Sequence, residues 1–117
     1  MKTSSAKAKG RKLQDMVREA LRFVFKGRLE NDDIKSQVMG MSGEDIVLSP
    51  AAKKLIRYSF ECKNQERLNL WSSIEQAESN KGRRQPVLVF KRNRSKTYVV
   101  IDFVHFIELL NKNIKDK

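Results

Sequence analysis

The segment from Gly43 to Lys63 carries the residue types and spacing best suited to chemistry. Asp45 opens a short apolar run, and Glu61, Cys62 and Lys63 follow as a Glu-x-Lys triplet. Alternate side chains of a β-strand point to opposite faces, so Glu61 and Lys63 share one face, with their Cα atoms roughly 6.5 to 7 Å apart. A carboxylate and an ammonium group would therefore address the same small volume.

Asp45 adds a second carboxylate if its run folds back beside the Glu61 strand. The connection from Ser49 to Arg57 is long enough for that fold. Two carboxylates at a sheet edge suit a hard divalent cation, so we expect Mg²⁺, with Mn²⁺ able to substitute. Lys63 would then orient a water molecule or offset charge on a phosphate. The alternative is a surface Glu/Lys pair with an unrelated aspartate, because Glu-x-Lys is a common triplet.

The other face of this strand is predicted to be apolar and buried, with Tyr58, Phe60 and Cys62 on it. Cys62 is the single cysteine of the chain, so it has no partner for an internal disulfide. This agrees with a reducing compartment. We interpret Cys62 as a buried filler rather than a reactive thiol.

The composition indicates one small domain with a polyanionic partner. The chain has 117 residues, and 25 basic against 14 acidic residues give a net charge of +11. Nucleic acid and an anionic membrane surface both fit this charge. No apolar run could span a bilayer, and the N-terminus lacks a signal-peptide core, so we expect a cytoplasmic protein, associated with the nucleoid or acting in a virus-infected cell. No phosphate-binding loop, dinucleotide motif or paired-cysteine motif supports an NTP, dinucleotide or zinc site.

Apolar periodicity predicts a first helix from Leu13 to about Lys26, after a flexible basic arm over residues 1–12. A strand is predicted over 34–38. Asp32 and Asp33 in the turn before it are interpreted as capping or solvated residues. A glycine-punctuated turn over 39–43 leads to the Asp45 strand, and a half-turn over 50–55 leads to the Glu61 strand. The apolar stripe of the first helix comprises Leu13, Val17, Ala20, Leu21 and Val24.

A second helix is predicted over 68–80, and a hairpin with a basic tip over 86–91 and 97–101. Trp71 is interpreted as a core residue in preference to a base-stacking one. The last helix, 102–111, has Asp102 as its N-cap and an apolar side for the core or a dimer contact. We interpret His105, on this helix, as a packed or surface residue, and we expect a frayed tail over 113–117. The expected core residues of the second helix are Leu70, Trp71, Ile74 and Ala77, and the apolar side of the last helix comprises Phe103, Phe106, Ile107 and Leu110.

Asp45, Glu61 and Lys63, with the Lys9 to Arg11 motif before them and Glu75-Gln76 after them, resemble the PD-(D/E)xK nuclease superfamily. Within it, the order and spacing of elements over residues 7–110 resemble the archaeal-type and phage-type Holliday-junction resolvases. The resemblance implies a restriction-endonuclease-like core, an α/β sandwich with a central mixed sheet flanked by helices. The nuclease domain would occupy residues 13–112.

The resemblance also implies residue roles. Asp45, Glu61 and the Cys62 carbonyl would bind Mg²⁺, and Lys63 would position the attacking water. Gln14 stands where the family usually has a glutamate, so we expect a single metal, with Gln14 in an orienting or water-mediated contact.

Gln76 matches the family's helical glutamine, and by helical rotation it faces either the active-site cleft or solvent. The partner is expected to be branched DNA bound by a homodimer. The alternatives are a nicking or flap-cutting nuclease, or a non-catalytic nucleic-acid-binding protein. Basic residues expected to contact DNA are Lys9, Arg11, Lys12, Lys53, Lys54, Lys81, Arg83, Arg84, Arg92, Arg94 and Lys96.

Overall fold

The computed structural model describes residues 3–38 and 40–115. The ends of the expected arm and tail, residues 1–2 and 116–117, and Met39 of the predicted turn lie outside the described residues. The α-helices and strands of the described part are α1 Thr3–Val24, β1 Ile34–Ser36, β2 Ile46–Leu48, α2 Pro50–Leu55, β3 Tyr58–Asn64, α3 Leu70–Asn80, β4 Gln85–Lys91, β5 Tyr98–Val100 and α4 Phe103–Lys115.

The central sheet has the order β3-β4-β5 and is mixed. Strands β3 and β4 are parallel, with α3 as the crossover between them, while β4 and β5 form the predicted antiparallel hairpin. Strands β1 and β2 form a separate antiparallel hairpin, so the Asp45 run pairs mainly with β1. The predicted class, an α/β sandwich with a mixed sheet flanked by helices, is confirmed.

Helix α1 begins ten residues before its predicted start. The described part of the expected flexible arm, residues 3–12, is helical. Alanine and lysine there have high helix propensity, and extending an existing helix requires no new nucleation. The helix ends at Val24, and Gly27 follows with φ +88°, a left-handed conformation that suits glycine.

The buried side of α1 differs from the predicted stripe at its C-terminal end. Leu13 and Val17 are buried and Leu21 packs against the core, as predicted. Val24 is mostly exposed, which corrects the prediction, because Phe25 in the turn after the helix packs against the core in its place. Ala20, also predicted to lie in the stripe, is exposed.

The two faces of the sheet follow the predicted strand parity. Cys62, Val87 and Val89 belong to the core cluster that α1 closes, together with the buried residues of β1, β2 and α2. Glu61 and Leu88 are paired in register and lie on the opposite face, which α3 covers. This second face is as buried as the first at Ser59 and Glu61, so the chemical face is not a solvent face.

Helix α3 packs through small side chains rather than through its aromatic residue. Ser73 and Ala77, one turn apart, are buried, while Trp71 is 75% exposed and Leu70 is also exposed. The prediction of a core Trp71 is therefore wrong. Small side chains let α3 approach the Glu61 face closely, and that orientation turns Trp71 outward.

Helix α4 starts as predicted, since Asp102 Oδ2 accepts a hydrogen bond from the His105 amide at 3.0 Å. His105 is confirmed as a packed residue because its Nε2 lies 2.7 Å from the Tyr58 hydroxyl. The helix continues to Lys115, through the described part of the expected frayed tail. None of its described residues is buried. Within the described ranges, no helix has the length and apolar character needed to cross a membrane.

Candidate active site

Asp45 lies beside the middle of β3, as the sequence predicts. Its amide donates to the Phe60 carbonyl at 3.0 Å, and its Oδ2 accepts from the Cys62 amide at 2.6 Å. These two bonds fix both the backbone and the carboxylate of Asp45 against the strand that carries Glu61. The aspartate is therefore positioned before any ligand arrives.

Glu61 is 2% exposed and accepts a hydrogen bond from Asn80 Nδ2 at 3.3 Å. Burial, followed by the negative charge of Asp45, raises the pKa of Glu61 to about 7. The Asn80 bond and the positive charge of Lys63 act in the opposite direction. A carboxylate with a pKa near neutrality is characteristic of functional sites.

The same physical causes act on Asp45. Burial raises its pKa above the ordinary value, while the Cys62 amide and the charge of Lys63 oppose the shift. The two carboxyl groups lie close enough to shift each other's pKa. A divalent cation between them would relieve the cost of burying two acids side by side.

The donor set fits such a cation. In an extended strand the N–H and C=O of one residue point to the same edge, so the Cys62 carbonyl points toward Asp45 together with its amide. Asp45, Glu61 and this carbonyl are therefore the groups that would hold a cation here. Among residues 3–38 and 40–115, no group of three or more His, Cys, Asp and Glu side chains could hold a metal. A metal site here would therefore have fewer than three such side chains as ligands.

The Cys62 thiol is not part of this donor set. Its side chain lies on the core face, and burial, followed by the charges of Asp45 and Glu61, raises its pKa. The thiol is thus held in its protonated form. The interpretation of Cys62 as a buried filler is confirmed.

Gln14 is buried on α1 and contacts the backbone of the site. Its Nε2 donates to the Asp45 carbonyl at 2.5 Å and to the Gln37 carbonyl at 3.3 Å. These bonds hold the backbone of Asp45, and the expected role of Gln14 toward a metal stays a prediction. Asp15 and Glu19 bind Arg18, and Asp15 also accepts a hydrogen bond from the Ser36 hydroxyl at 2.8 Å, so neither acid bonds to Asp45, Glu61 or Lys63 in the described part of the chain.

Helix α3 contributes Asn80 rather than Gln76 to the site. Gln76 is exposed, and none of its described side-chain atoms bonds to Asp45, Glu61 or Lys63. Asn80, four residues later, binds Glu61 and also the Gly43 carbonyl at 3.3 Å. Sequence reasoning missed Asn80, although its position one helical turn after Gln76 was a usable signal.

A second group that the sequence did not reveal is the ion pair between Glu44 and Arg84. Glu44 Oε2 accepts from Arg84 Nη2 and from the Ser59 hydroxyl, the latter at 2.9 Å. Arg84 Nη1 also donates to the Tyr58 carbonyl at 3.0 Å. The Arg84 side chain is 11% exposed and lines the same cleft as Arg83, so its role as a DNA contact stays a prediction.

The remaining basic residues lie around the site in two groups. Lys53, Lys81 and Arg83 line a cleft of about 660 Å³ next to Asn80, and Arg57 lines it as well. Residues 92–96 form the exposed hairpin tip after β4, at the far end of β3. The basic start of α1 reaches the same far end, because Asn64 binds the Lys9 carbonyl. Lys54, Arg11, Lys12, Arg92, Arg94 and Lys96 are exposed, and Lys9 is half-buried.

A comparison with family models finds one that covers residues 5–117, described as "Phage putative PDDEXK endonuclease". This match spans nearly the entire chain and includes every residue of the candidate site. The chain belongs to the PD-(D/E)xK endonucleases. No curated protein and no solved structure matches the chain.

Membership assigns a chemical class to the geometry around Asp45. PD-(D/E)xK nucleases act on DNA and generally use divalent metal ions. The structure places Asp45 beside β3, the strand that carries Glu61 and Lys63. The family match agrees with the fit of the buried carboxylate pair to a cation.

Proposed function

We propose that this protein is a Mg²⁺-dependent endonuclease of the Holliday-junction resolvase type. The observation that carries the proposal is that Asp45 is held against β3 close to the buried Glu61, with Lys63 on the same strand. Two acids held together in a site covered by α3 are costly without a cation, and a nuclease gives that arrangement a use.

Each side chain then has a role in phosphodiester hydrolysis. Asp45, Glu61 and the Cys62 carbonyl hold Mg²⁺, with Mn²⁺ as a substitute. When bound, the ion supplies positive charge for in-line displacement at phosphorus. Lys63 donates to the attacking water and orients it. Gln14 holds the Asp45 backbone in place.

The basic groups suggest how DNA crosses the site. The cleft around Lys53, Lys81 and Arg83 lies at the start of β3, while the hairpin tip and the start of α1 lie at its end. Strand β3 has seven residues and is roughly 20 Å long, so the groups flank Glu61 at a spacing of several nucleotides. Phosphates on both sides of the cut would hold the backbone across the acids.

The junction substrate and the homodimer belong together in this proposal. A four-way junction presents two equivalent strands for cleavage. A two-fold dimer with one active site per subunit cuts both of them symmetrically. The high positive charge, +11, suits a substrate with converging phosphate backbones.

The test is cleavage of a labelled panel of four-way junction, flap, nicked and duplex DNA with Mg²⁺, with Mn²⁺ and with chelator. Wild type should cut the junction and lose activity in chelator. The variants Asp45→Asn, Glu61→Gln and Lys63→Met preserve side-chain size, and each should reduce cleavage by at least about 100-fold. Glu75→Gln, on the exposed side of α3, is the control and should retain activity.

The other outcomes separate the alternatives. Metal-dependent cleavage of flaps or duplexes without a junction preference would keep the nuclease and reject the resolvase. Salt-sensitive binding of junctions with no cleavage and no calorimetric Mg²⁺ binding would reject the nuclease. The calorimetric measurement distinguishes this last alternative from a nuclease that is inactive on the chosen substrates.

A further inference from the structure

Helix α4 carries an apolar stripe that nothing in the described chain covers. At 100° per residue, Phe103, Phe106, Ile107, Leu110 and Ile114 fall on one side of the helix. All five are exposed, from 44% for Leu110 to 73% for Phe103. Such a stripe on a 13-residue helix indicates a binding surface, since an isolated helix of this length is marginal in water.

An apolar groove opens where this helix begins. The groove has a volume of about 320 Å³ and lies between α3 and the β4–β5 edge of the sheet. Leu88 and Val100 form its floor, and the exposed rings of Trp71 and Phe103 form its rim. Groove and stripe therefore share Phe103 and make one continuous apolar surface.

We propose that this surface binds the same surface of a second copy of the chain, with the two α4 helices antiparallel across a two-fold axis. The stripe on one chain would then extend toward the groove on the other. In a two-fold interface the same surface of each chain is buried. Here the stripe of one chain would contact the groove of the other, and the reverse. The inference rests on the homodimer of the proposed function, for which it names the surface.

Charge supports a second copy as the occupant. The rim of the groove carries Glu78 and Asp102, two acids in a strongly basic chain, and α4 ends with Lys115. Antiparallel helices bring the end of one α4 to the beginning of the other. Lys115 lies about 120° around the helix from Phe103, so each Lys115 would flank the apolar stripe at the end of the interface where the partner carries Glu78 and Asp102.

The available area also fits. Trp71, Phe103, Phe106, Ile107, Leu110 and Ile114 can bury about 100 Å² each, since aromatic side chains bury somewhat more and the six are partly covered already. That is on the order of 600 Å² per chain before the groove walls are counted. A stable specific interface takes about 800 Å² per partner.

The first test is sedimentation equilibrium of the full-length protein without DNA or metal. Wild type should dimerise. Leu110→Glu should raise the dimer dissociation constant by about 100-fold or more, because the substitution places a charge in the apolar stripe. Lys112→Glu is the matched control. This substitution changes the net charge more than Leu110→Glu does. Because Lys112 lies on the opposite side of α4 from the stripe, dimerisation should be unchanged.

A charge exchange tests the antiparallel arrangement. Glu78→Lys and Lys115→Glu should each weaken the dimer, and the double variant should recover part of the loss. Circular dichroism checks that every variant keeps its folded sheet. Because none of the described residues of α4 is buried, substitutions on the helix should not unfold the domain.

A monomeric wild type, or a dimer unaffected by Leu110→Glu, would overturn the inference. A monomer that co-sediments through α4 with vesicles of anionic phospholipid would assign the stripe to a lipid surface instead. These results are distinct from failure of the nuclease. A monomer that cuts DNA rejects the interface alone, and a dimer that cuts nothing rejects the nuclease alone.

Discussion

Glu61 is a carboxylate that folding holds in an unfavourable environment. It is almost fully buried, and the nearest charged group besides Lys63 is the like-charged Asp45. A group of this kind costs stability when ionised and recovers that cost when it binds a cation. The free energy of unfolding of the metal-free protein should therefore decrease when Glu61 ionises.

The pH dependence of stability measures this strain. Glu61 titrates near 4.5 in the unfolded chain and near 7 in the folded protein. Between these values the folded state binds more protons, so the free energy of unfolding falls as pH rises through this window. We expect a loss on the order of 2 kcal/mol in metal-free protein. Urea titrations at pH 5, 6, 7 and 8 would measure it.

The matching variants make this measurement specific. Glu61→Gln should remove most of the loss, because the amide does not ionise, and Mg²⁺ should restore stability to wild type but not to the variant. Glu75→Gln, which removes an exposed carboxylate, should keep the wild-type pH dependence. An unchanged slope in Glu61→Gln would mean that Glu61 is not the responsible group.

Asn80 is expected to act through Glu61. Its hydrogen bond lowers the pKa of that carboxyl group. Asn80→Ala should therefore move the acidic limb of the pH–rate profile to higher pH and reduce cleavage by about 10-fold. The comparison is with Gln76→Ala on the same helix, which should lose less activity because Gln76 is exposed. Equal losses without a pH shift would contradict the role given to Asn80.

At the scale of elements, the ion pair of Glu44 and Arg84 links the loop before β2 to the start of β4. Glu44 is adjacent to Asp45, and Arg84 also binds the first residue of β3. The pair thus sets the distance between the loop that carries one acid and the strand that carries the other. The pair therefore contributes to the shape of the site.

Removing one partner of this ion pair should destabilise the protein more than replacing both partners by neutral residues. Arg84→Ala leaves Glu44 buried without its cation, and we expect a loss of about 3 kcal/mol in the free energy of unfolding. The double variant Glu44→Gln with Arg84→Gln should lose less than the sum of the single variants. Chemical denaturation measures all of them.

Arg83→Ala provides the control for this prediction. Arg83 is the exposed neighbour of Arg84, and its loss should stay within about 0.5 kcal/mol. A similar effect of Arg83→Ala and Arg84→Ala would show that the ion pair does not determine stability.

Local sequence patterns predicted what depends on neighbours along the chain. The alternation through Tyr58 to Lys63 gave the correct faces of β3, and the Asp102 cap gave the start of α4. The pairing of Asn80 with Glu61 joins residues 19 positions apart, and Glu44 with Arg84 joins residues 40 apart. No periodicity encodes such contacts, because the parallel crossover through α3 creates them.

The misplaced Trp71 has a different cause. An apolar residue at helical spacing is predicted to face inward, but the orientation of α3 depends on which side can approach the sheet. Ser73 and Ala77 permit a close approach over Glu61, and Trp71 does not. Hydrophobicity alone therefore gave the wrong face.

At the scale of the molecule, the basic groups at the two ends of β3 should contribute separately to DNA affinity. Removing a phosphate contact lowers the dependence of log K on log salt by about 1. We expect a decrease of about 2 for Lys53→Ala with Arg83→Ala, and again for Arg92→Ala with Lys96→Ala. Fluorescence anisotropy over a series of salt concentrations measures the slope.

A matched pair of lysine and arginine substitutions serves as the control. Lys26→Ala with Arg28→Ala changes the net charge by the same amount, but both residues lie beyond the C-terminal end of α1. That end is roughly 22 Å along the helix from Lys9. If this pair lowers the slope as much as the others, DNA binding depends on overall charge and not on the two groups.

The parallel pairing of β3 with β4 also determines when the site can exist. Asn80 reaches Glu61 only when α3 is fixed across the sheet, and α3 is fixed by the strand that follows it. Non-local parallel pairing of this type is intrinsically slow to form, because the intervening loop must close first. A chain still on the ribosome would carry Asp45, Glu61 and Lys63 long before β4 emerges. The site as the structure shows it, with Asn80 bound to Glu61, therefore requires the chain to be extended through β4.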